Sequence, residues 1–433
     1  MKRTLGNASK GGVLLFLLLF ISLSSLFGQT HEPYGLYRRK DLSALSQLIR
    51  DNGQLDRKTR QIYQATVYNA YGKAKKSNKL LRSAKAGATN LSAEDTLSYV
   101  ALKTAYDNHI KLFDYQSAAR TGTLLLSTYR AFFTPEEYQE EAEALKIWRL
   151  LSGVPSQVVE KVRGLEIQLK KDKAGLLNIP VQVGEQVHDM VFDSGAGLSV
   201  LSESYAKELG FEIVSDSTIP VKSGITGLAT PVKLALGERF RVGGIEVSNA
   251  VFLVFPDSAL SFGGGFYKIN GIIGFPIISH FGTLTFTDRT QLTVNGEKAK
   301  RDVKPNMIID GLKPVIYLSF NGEELPYTFD TGADRTKLSD NFFKRYKPTV
   351  EAEGTSQELK AEGTGGGLVL KGYEVPELTF FLSGKPVSLK KVFVSQDPIS
   401  TNGEIYFGII GQDFIRQFRT MTISFEGAYV AFE

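Results

Sequence analysis

The sequence predicts a multi-domain chain, an all-α, helical-repeat-like segment followed by an all-β pair of tandem units. Three observations predict it. Glycine thins out and apolar residues recur three and four apart over residues 36–155, the period of amphipathic helices. Beyond that segment, apolar β-prone runs end in glycine turns. This C-terminal stretch is also written twice: Val191-Phe192-Asp193-Ser194-Gly195-Ala196 returns as Thr328-Phe329-Asp330-Thr331-Gly332-Ala333, 137 residues on. At the same offset Gly271-Ile272-Ile273-Gly274 returns as Gly408-Ile409-Ile410-Gly411, and Thr283-Leu284-Thr285-Phe286 as Thr420-Met421-Thr422-Ile423. Two motifs and a strand in one register mark a duplication.

In chain order, residues 1–28 come first. Lys2, Arg3 and Lys10 precede an apolar run from Val13 to Leu26, with Gly28 at a cleavage position, the layout of a secretory signal peptide. The run falls short of the ~20 residues a spanning helix needs, so cleavage is favoured over a membrane anchor and no stable membrane span is expected. In residues 36–155 the helical period is carried by Leu42, Leu45, Leu48 and Ile49, then Ile62, Ala65, Val67, Tyr68 and Tyr71. Thr134-Pro135-Glu136-Glu137 is a helix start with its own cap, and Ser92-Ala93-Glu94-Asp95 is a similar signal. About six helices of ordinary length fit. Tyr71 to Ser77 and Phe113 to Ala119 both set an aromatic, a turn and a small residue before a leucine-rich helix, 42 residues apart. The pattern resembles tetratricopeptide hairpin arrays, whose period is about 34, with a loop inserted. The helices should end near Ser152-Gly153-Val154-Pro155-Ser156. Few contacts are expected to cross such a linker, so a chain beginning near Pro155, about 270 residues long, should fold alone.

The β units span 165–290 and 303–433. In each, an apolar strand drives straight into the repeated aspartate: Met190-Val191-Phe192 into Asp193, Tyr327-Thr328-Phe329 into Asp330. Partner strands are expected at Pro180 to Val183 and Val315 to Leu318. One such Asp-Ser/Thr-Gly alone is most simply an Asp-initiated turn. Two related by a pseudo-two-fold would bring both carboxylates to the axis. Like charges about 3 Å apart cannot both ionise, so the pair shares one proton and titrates as a unit. One carboxylate then takes a proton from water while the protonated one polarises an amide carbonyl, which is general acid–base hydrolysis. Ser194 and Thr331 are the groups to hydrogen-bond across the pair, and Gly195 and Gly332 let the backbones approach.

These motifs resemble the aspartic protease superfamily of pepsin and the retroviral proteases. The hydrophobic-hydrophobic-glycine element matches Ile272-Ile273-Gly274 and Ile409-Ile410-Gly411, and Ile409 to Phe418 resembles the C-terminal lobe of pepsins. Asp193 to Leu209 is more similar to bacterial retropepsin-type domains. The resemblance implies a double-lobed fold with one cleft, Asp193 and Asp330 as catalytic residues and water as nucleophile. It implies a peptide or protein substrate and no metal or organic cofactor. With both aspartates in one chain, a monomer is the expected active unit. The flap tyrosine of pepsin-like enzymes is missing from Gly224 to Thr230, whereas Glu362 to Gly367 resembles a glycine-rich retroviral flap. Thr226, Gly227, Thr364, Gly365 and Gly366 are therefore flap candidates that would set substrate preference, with ordinary surface loops as the alternative.

Composition narrows the chemistry. There is no cysteine, which excludes a thiol nucleophile and disulfides. The four histidines, His31, His109, His188 and His280, lack zinc-ligand spacing, and no Gly-x-Ser-x-Gly elbow occurs. Without residues 1–28 the net charge falls from +5 to +2, divided as +6 over 29–150 and −4 over 151–433, which does not call for nucleic acid. The expectation is a periplasmic or secreted bacterial aspartic endopeptidase. Its rival is a catalytically silent peptide-binding adaptor, marked by loss of an aspartate or motif glycine, and all of these are kept. The helical segment would dock partners, inhibit as a pro-segment, or only pack.

Overall fold

Five helices in the N-terminal region begin where a side chain satisfies free backbone amides. Asp41, Asp56, Asp95 and Asp114 each accept from N–H groups of the first turn, and Thr134 and Glu137 form a reciprocal capping box with Pro135 in the first turn. The computed structural model describes residues 32–84, 95–223, 226–296, 303–363, 365–399 and 405–433. Among them the helical region comprises Glu32–Arg38, Leu42–Asp51, Arg57–Ala70, Ala74–Ser83, Thr96–Lys111, Tyr115–Thr128 and Pro135–Leu150. The 42-residue echo marks two helical hairpins, turning at Gly72 (φ +69°) and at Phe113 (φ +56°). Of the expected start Ser92-Ala93-Glu94-Asp95, Ser92 to Glu94 lie outside the described residues, and Asp95 caps the helix that follows. The segment 1–28 also lies outside them. No described helix is long and apolar enough to cross a membrane.

The remainder is β-rich, and the duplication extends to its pairing. In the first unit Leu177–Val183, Gln186–Phe192, Gly271–Ile273, Ser199–Ser202, Ile245–Phe255 and Ala229–Val242 pair in that order and close on themselves. In the second, Lys313–Phe320, Glu323–Phe329, Gly408–Ile410, Lys337–Leu338, Lys385–Ser395 and Gly366–Leu382 form the same ring. Both contain the same parallel step beside the aspartate strand, Ile272 opposite Val191 and Ile409 opposite Thr328. A third sheet joins the units: Leu165–Gln168, Gln291–Val294, Thr283–Thr287, Thr420–Ser424 and Tyr429–Phe432. At its centre Thr285 pairs with Thr422, its own equivalent at the 137-residue offset. An antiparallel pair in which a residue faces its own repeat has a local two-fold through that point.

The helices do not stand apart from the sheets. Leu45, Ile62, Val100, Tyr129 and Trp148 belong to one apolar cluster with Val232, Leu234 and Val251 of the first unit and Ile308, Val315 and Tyr406 of the second. Buried Lys111 pairs with Asp107 (2.8 Å) and donates to Asn69 and to the Ile309 carbonyl (2.8 Å), tying the second hairpin to strand Met307–Asp310. Lys40 and the Tyr406 hydroxyl both reach Asp310. Burial alone would raise the Asp310 carboxyl, but the Lys40 charge and these hydrogen bonds hold it well below the usual carboxylate range. In the connection, the Ser156 hydroxyl donates to the Phe113 carbonyl (2.8 Å) and Gln157 to the Pro276 carbonyl (3.0 Å). The expectation that few contacts cross this boundary is therefore wrong. Helices and sheets share a core, because the apolar face of the helices is also the cover of the sheets.

Candidate active site

Each repeated aspartate sits at a strand end held by its neighbours. The N–H of Asp193 donates to the Ile273 carbonyl and that of Asp330 to the Ile410 carbonyl, both at 3.0 Å. The following turn then folds back on the carboxylate. Gly195 N and Ala196 N donate to Asp193 Oδ1 at 2.7 and 3.1 Å, and Gly332 N donates to Asp330 Oδ1 at 2.7 Å. The second motif packs against this turn with no room to spare. A Cβ on Gly274 would lie 2.7 Å from the Ala196 carbonyl oxygen, and one on Gly411 would lie 2.8 Å from that of Ala333. Only glycine admits that approach, which is why Gly-Ile-Ile-Gly accompanies both turns.

The two turns interlock. Thr331 Oγ1 accepts from Ser194 N (2.9 Å) and donates to the Phe192 carbonyl (2.9 Å). Ser194 Oγ accepts from Thr331 N (3.1 Å) and donates to the Phe329 carbonyl (3.0 Å). Both hydroxyls are buried. Each unit thus satisfies backbone groups that the other leaves open. A Cβ on Gly195 would stand 2.6 Å from both Asp330 carboxyl oxygens, and one on Gly332 would stand 2.5 and 2.7 Å from those of Asp193. The glycines therefore form the opposing walls of one small chamber.

Within it each carboxyl lies against the glycine of the other turn, so that the charge of Asp330 acts on Asp193. Burial, then the charge of Asp330, pushes the Asp193 carboxyl well above the usual range. Asp330 is also raised by burial, against the pull of the Asp193 hydrogen bond, the turn N–H groups and nearby Lys337. Such a pair can deliver a proton and accept one at the same moment, with no metal required by the donor set.

The flap candidates are split by the structure. Thr226 and Gly227 (φ +67°) form the turn between Glu212–Lys222 and Ala229–Val242, and Gly365 (φ +85°) and Gly366 that between Thr355–Gly363 and Gly366–Leu382. Thr364 lies outside the described residues, as do Gly224 and Ile225. Both turns cap long hairpins, and the hairpins meet: a Cβ on Gly366 would touch Leu228 at 3.2 Å, while Gly365 N donates to the Ala259 carbonyl (3.0 Å) in the turn Asp257–Leu260 beside them. The first hairpin is braced by the N-terminal helices, through Lys222 and Glu140 (3.5 Å).

Residues 179–277 match the family model of aspartyl proteases. The match spans the Asp193 turn and the first Gly-Ile-Ile-Gly, and it ends before the second copy. An aspartyl protease domain implies a hydrolase acting on peptides. No curated protein matches the chain.

Sequence reasoning missed several participants. Ser199 Oγ and Thr336 Oγ1 accept from Gly274 N and Gly411 N (3.1 and 3.2 Å), and they too lie 137 residues apart, a signal available in the repeat. Gln412 donates to the Thr331 carbonyl (2.8 Å) only in the second unit. Lys337 likewise stands where the first unit has Val200. These last two break the symmetry, so alignment of the copies could not flag them as shared parts.

Proposed function

We propose that this protein is an aspartic endopeptidase of double-lobed, pepsin- and retropepsin-like architecture, in which Asp193 and Asp330 act as one catalytic dyad. One observation carries the reading: two half-buried carboxyls from equivalent positions of a duplication each lie against the other unit's glycine turn, inside reciprocal Ser194 and Thr331 contacts. Structural carboxylates in a core are normally neutralised by a cation. This pair is instead buried against itself.

In the reaction, a water held between the carboxyls loses its proton to the ionised member as its oxygen bonds to the substrate carbonyl carbon. The protonated member donates to the carbonyl oxygen, giving a neutral gem-diol. On collapse a gem-diol hydroxyl returns its proton to the ionised member as the C–N bond breaks and the amide nitrogen takes the proton of the other, so the pair is again left with one shared proton. The hairpins ending at Gly227 and Gly365 close over the peptide and exclude bulk water. Export through residues 1–28 places the enzyme in the periplasm or outside the cell, as a monomer. The apolar core shared by helices and sheets supports a packing role for the helical segment.

The test is incubation of the exported protein with an unstructured protein across about pH 3 to 7, with and without a pepstatin-type inhibitor. Inhibitor-sensitive cleavage lost in Asp193→Asn is the expected result. Peptide binding without turnover at any pH would make the protein an adaptor instead.

A further inference from the structure

The two sides of the site differ in what they offer a ligand. On the first side, Val191, Val200 and Ile272 are apolar and closed off, each 4 to 6% exposed. Their equivalents are Thr328, Lys337 and Ile409, all half-buried. Strand alternation sets the direction of Lys337: Leu338 is fully buried in the main core, so its predecessor projects from the opposite face of the strand. There it lies opposite Ile409 and Phe393, beside the apolar patch of Ala361, Leu370 and Ile399 beneath the second hairpin.

The charges around Lys337 are those of Asp330 and Asp334. Asp334 is already engaged by Arg416. Asp330 belongs to the carboxyl pair. Lys337 itself makes no hydrogen bond or ion pair with any described residue, although burial disfavours its charge. An ammonium group taken out of water without a direct partner is costly, and a bound carboxylate would remove that cost.

We infer that Lys337 is a specificity residue that selects peptides carrying an aspartate or glutamate next to the scissile bond, on the side bound by the second unit. The inference rests on the reading of Asp193 and Asp330 as the hydrolytic pair. Lys337 touches the substrate side chain and takes no part in the proton transfers.

The experiment uses full-length protein and paired peptides that differ only by Glu or Gln at each position flanking the cleaved bond. For wild type, kcat/KM should favour Glu by about 10- to 100-fold at one position, the range of a charge-assisted hydrogen bond. In Lys337→Met the Glu/Gln ratio should fall to near one, and in Lys337→Glu it should invert in favour of Lys over Gln. A ratio unchanged in Lys337→Met overturns the inference. So does an equal loss on every peptide with a shifted pH profile, since that would make Lys337 only a modulator of the carboxyl pair. Binding of the same peptides to Asp193→Asn protein, read by fluorescence anisotropy with and without Lys337→Met, separates the two readings. If no peptide is cleaved but binding keeps the Lys337-dependent ratio, the peptidase reading fails, and what stands is that Lys337 selects acidic peptides for binding. If peptides are cleaved but no ratio depends on Lys337, the reverse holds.

Discussion

Replacing Gly195 with alanine is the sharpest perturbation of the carboxyl pair, because it adds one methyl group and no charge. The new Cβ would stand 2.6 Å from both oxygens of Asp330, where ordinary contact begins at 3.4 Å. The carboxyl carbon would be nearer still, at 2.4 Å, so the group must retreat by about 1 Å, and it is tied to its own turn through the Gly332 N–H. Misplacement on the order of 1 Å at reacting groups costs about 100-fold in rate, and overpacking costs about 1 to 3 kcal/mol of stability. Gly195→Ala should therefore lose kcat by about two orders of magnitude while remaining folded. Gly197→Ala is the control two residues away: its Cβ would meet nothing closer than Leu312 at 3.8 Å, and its φ is not positive. The assay is steady-state cleavage of one peptide by both variants, with thermal unfolding alongside. Near wild-type turnover in Gly195→Ala would refute the facing-wall geometry, and equal damage in Gly197→Ala would show that the turn tolerates no side chain for other reasons.

Asp193→Asn and Asp330→Asn should each abolish peptide cleavage, with the double variant scarcely worse, because residues acting as one unit are not additive. The pH dependence of stability follows from the raised Asp193 carboxyl: a folded-state pKa above the unfolded value of about 3.9 contributes stability at low pH that is lost as pH rises. Asp193→Asn should thus melt higher than wild type at neutral pH, with the advantage vanishing near pH ~4, and a pH-independent difference would contradict the assignment. Thr331→Ala strands Ser194 N–H and the Phe192 carbonyl in a dry interface and should cost on the order of 2 to 4 kcal/mol in denaturant unfolding, whereas Thr331→Ser should cost about 1. A chain starting at Pro155 should aggregate, since it uncovers Val232, Leu234, Ile308 and Val315; a soluble, cooperatively unfolding product would restore the independent β region.

Much of this protein is legible residue by residue. The capping box at Thr134, the helical period through Leu42, Leu45 and Ile49, and the strands entering Asp193 and Asp330 are local, so their causes lie within a few residues of sequence. The duplication extends that reach, because a symmetric pair must meet on its own axis. From the offset alone one obtains the partnership of Ser194 with Thr331. The pairing of Thr285 with Thr422 follows the same offset. What breaks the symmetry is not legible in this way. That Lys337 projects away from the main core depends on which strand face is buried, and that Glu140 braces the first hairpin depends on where the helices land. The shared core was hidden for the same reason. An amphipathic helix announces that it will bury one face but not against what, and the choice between its own neighbours and a distant sheet is made by shape and exposed apolar area, which exist only once the chain has folded.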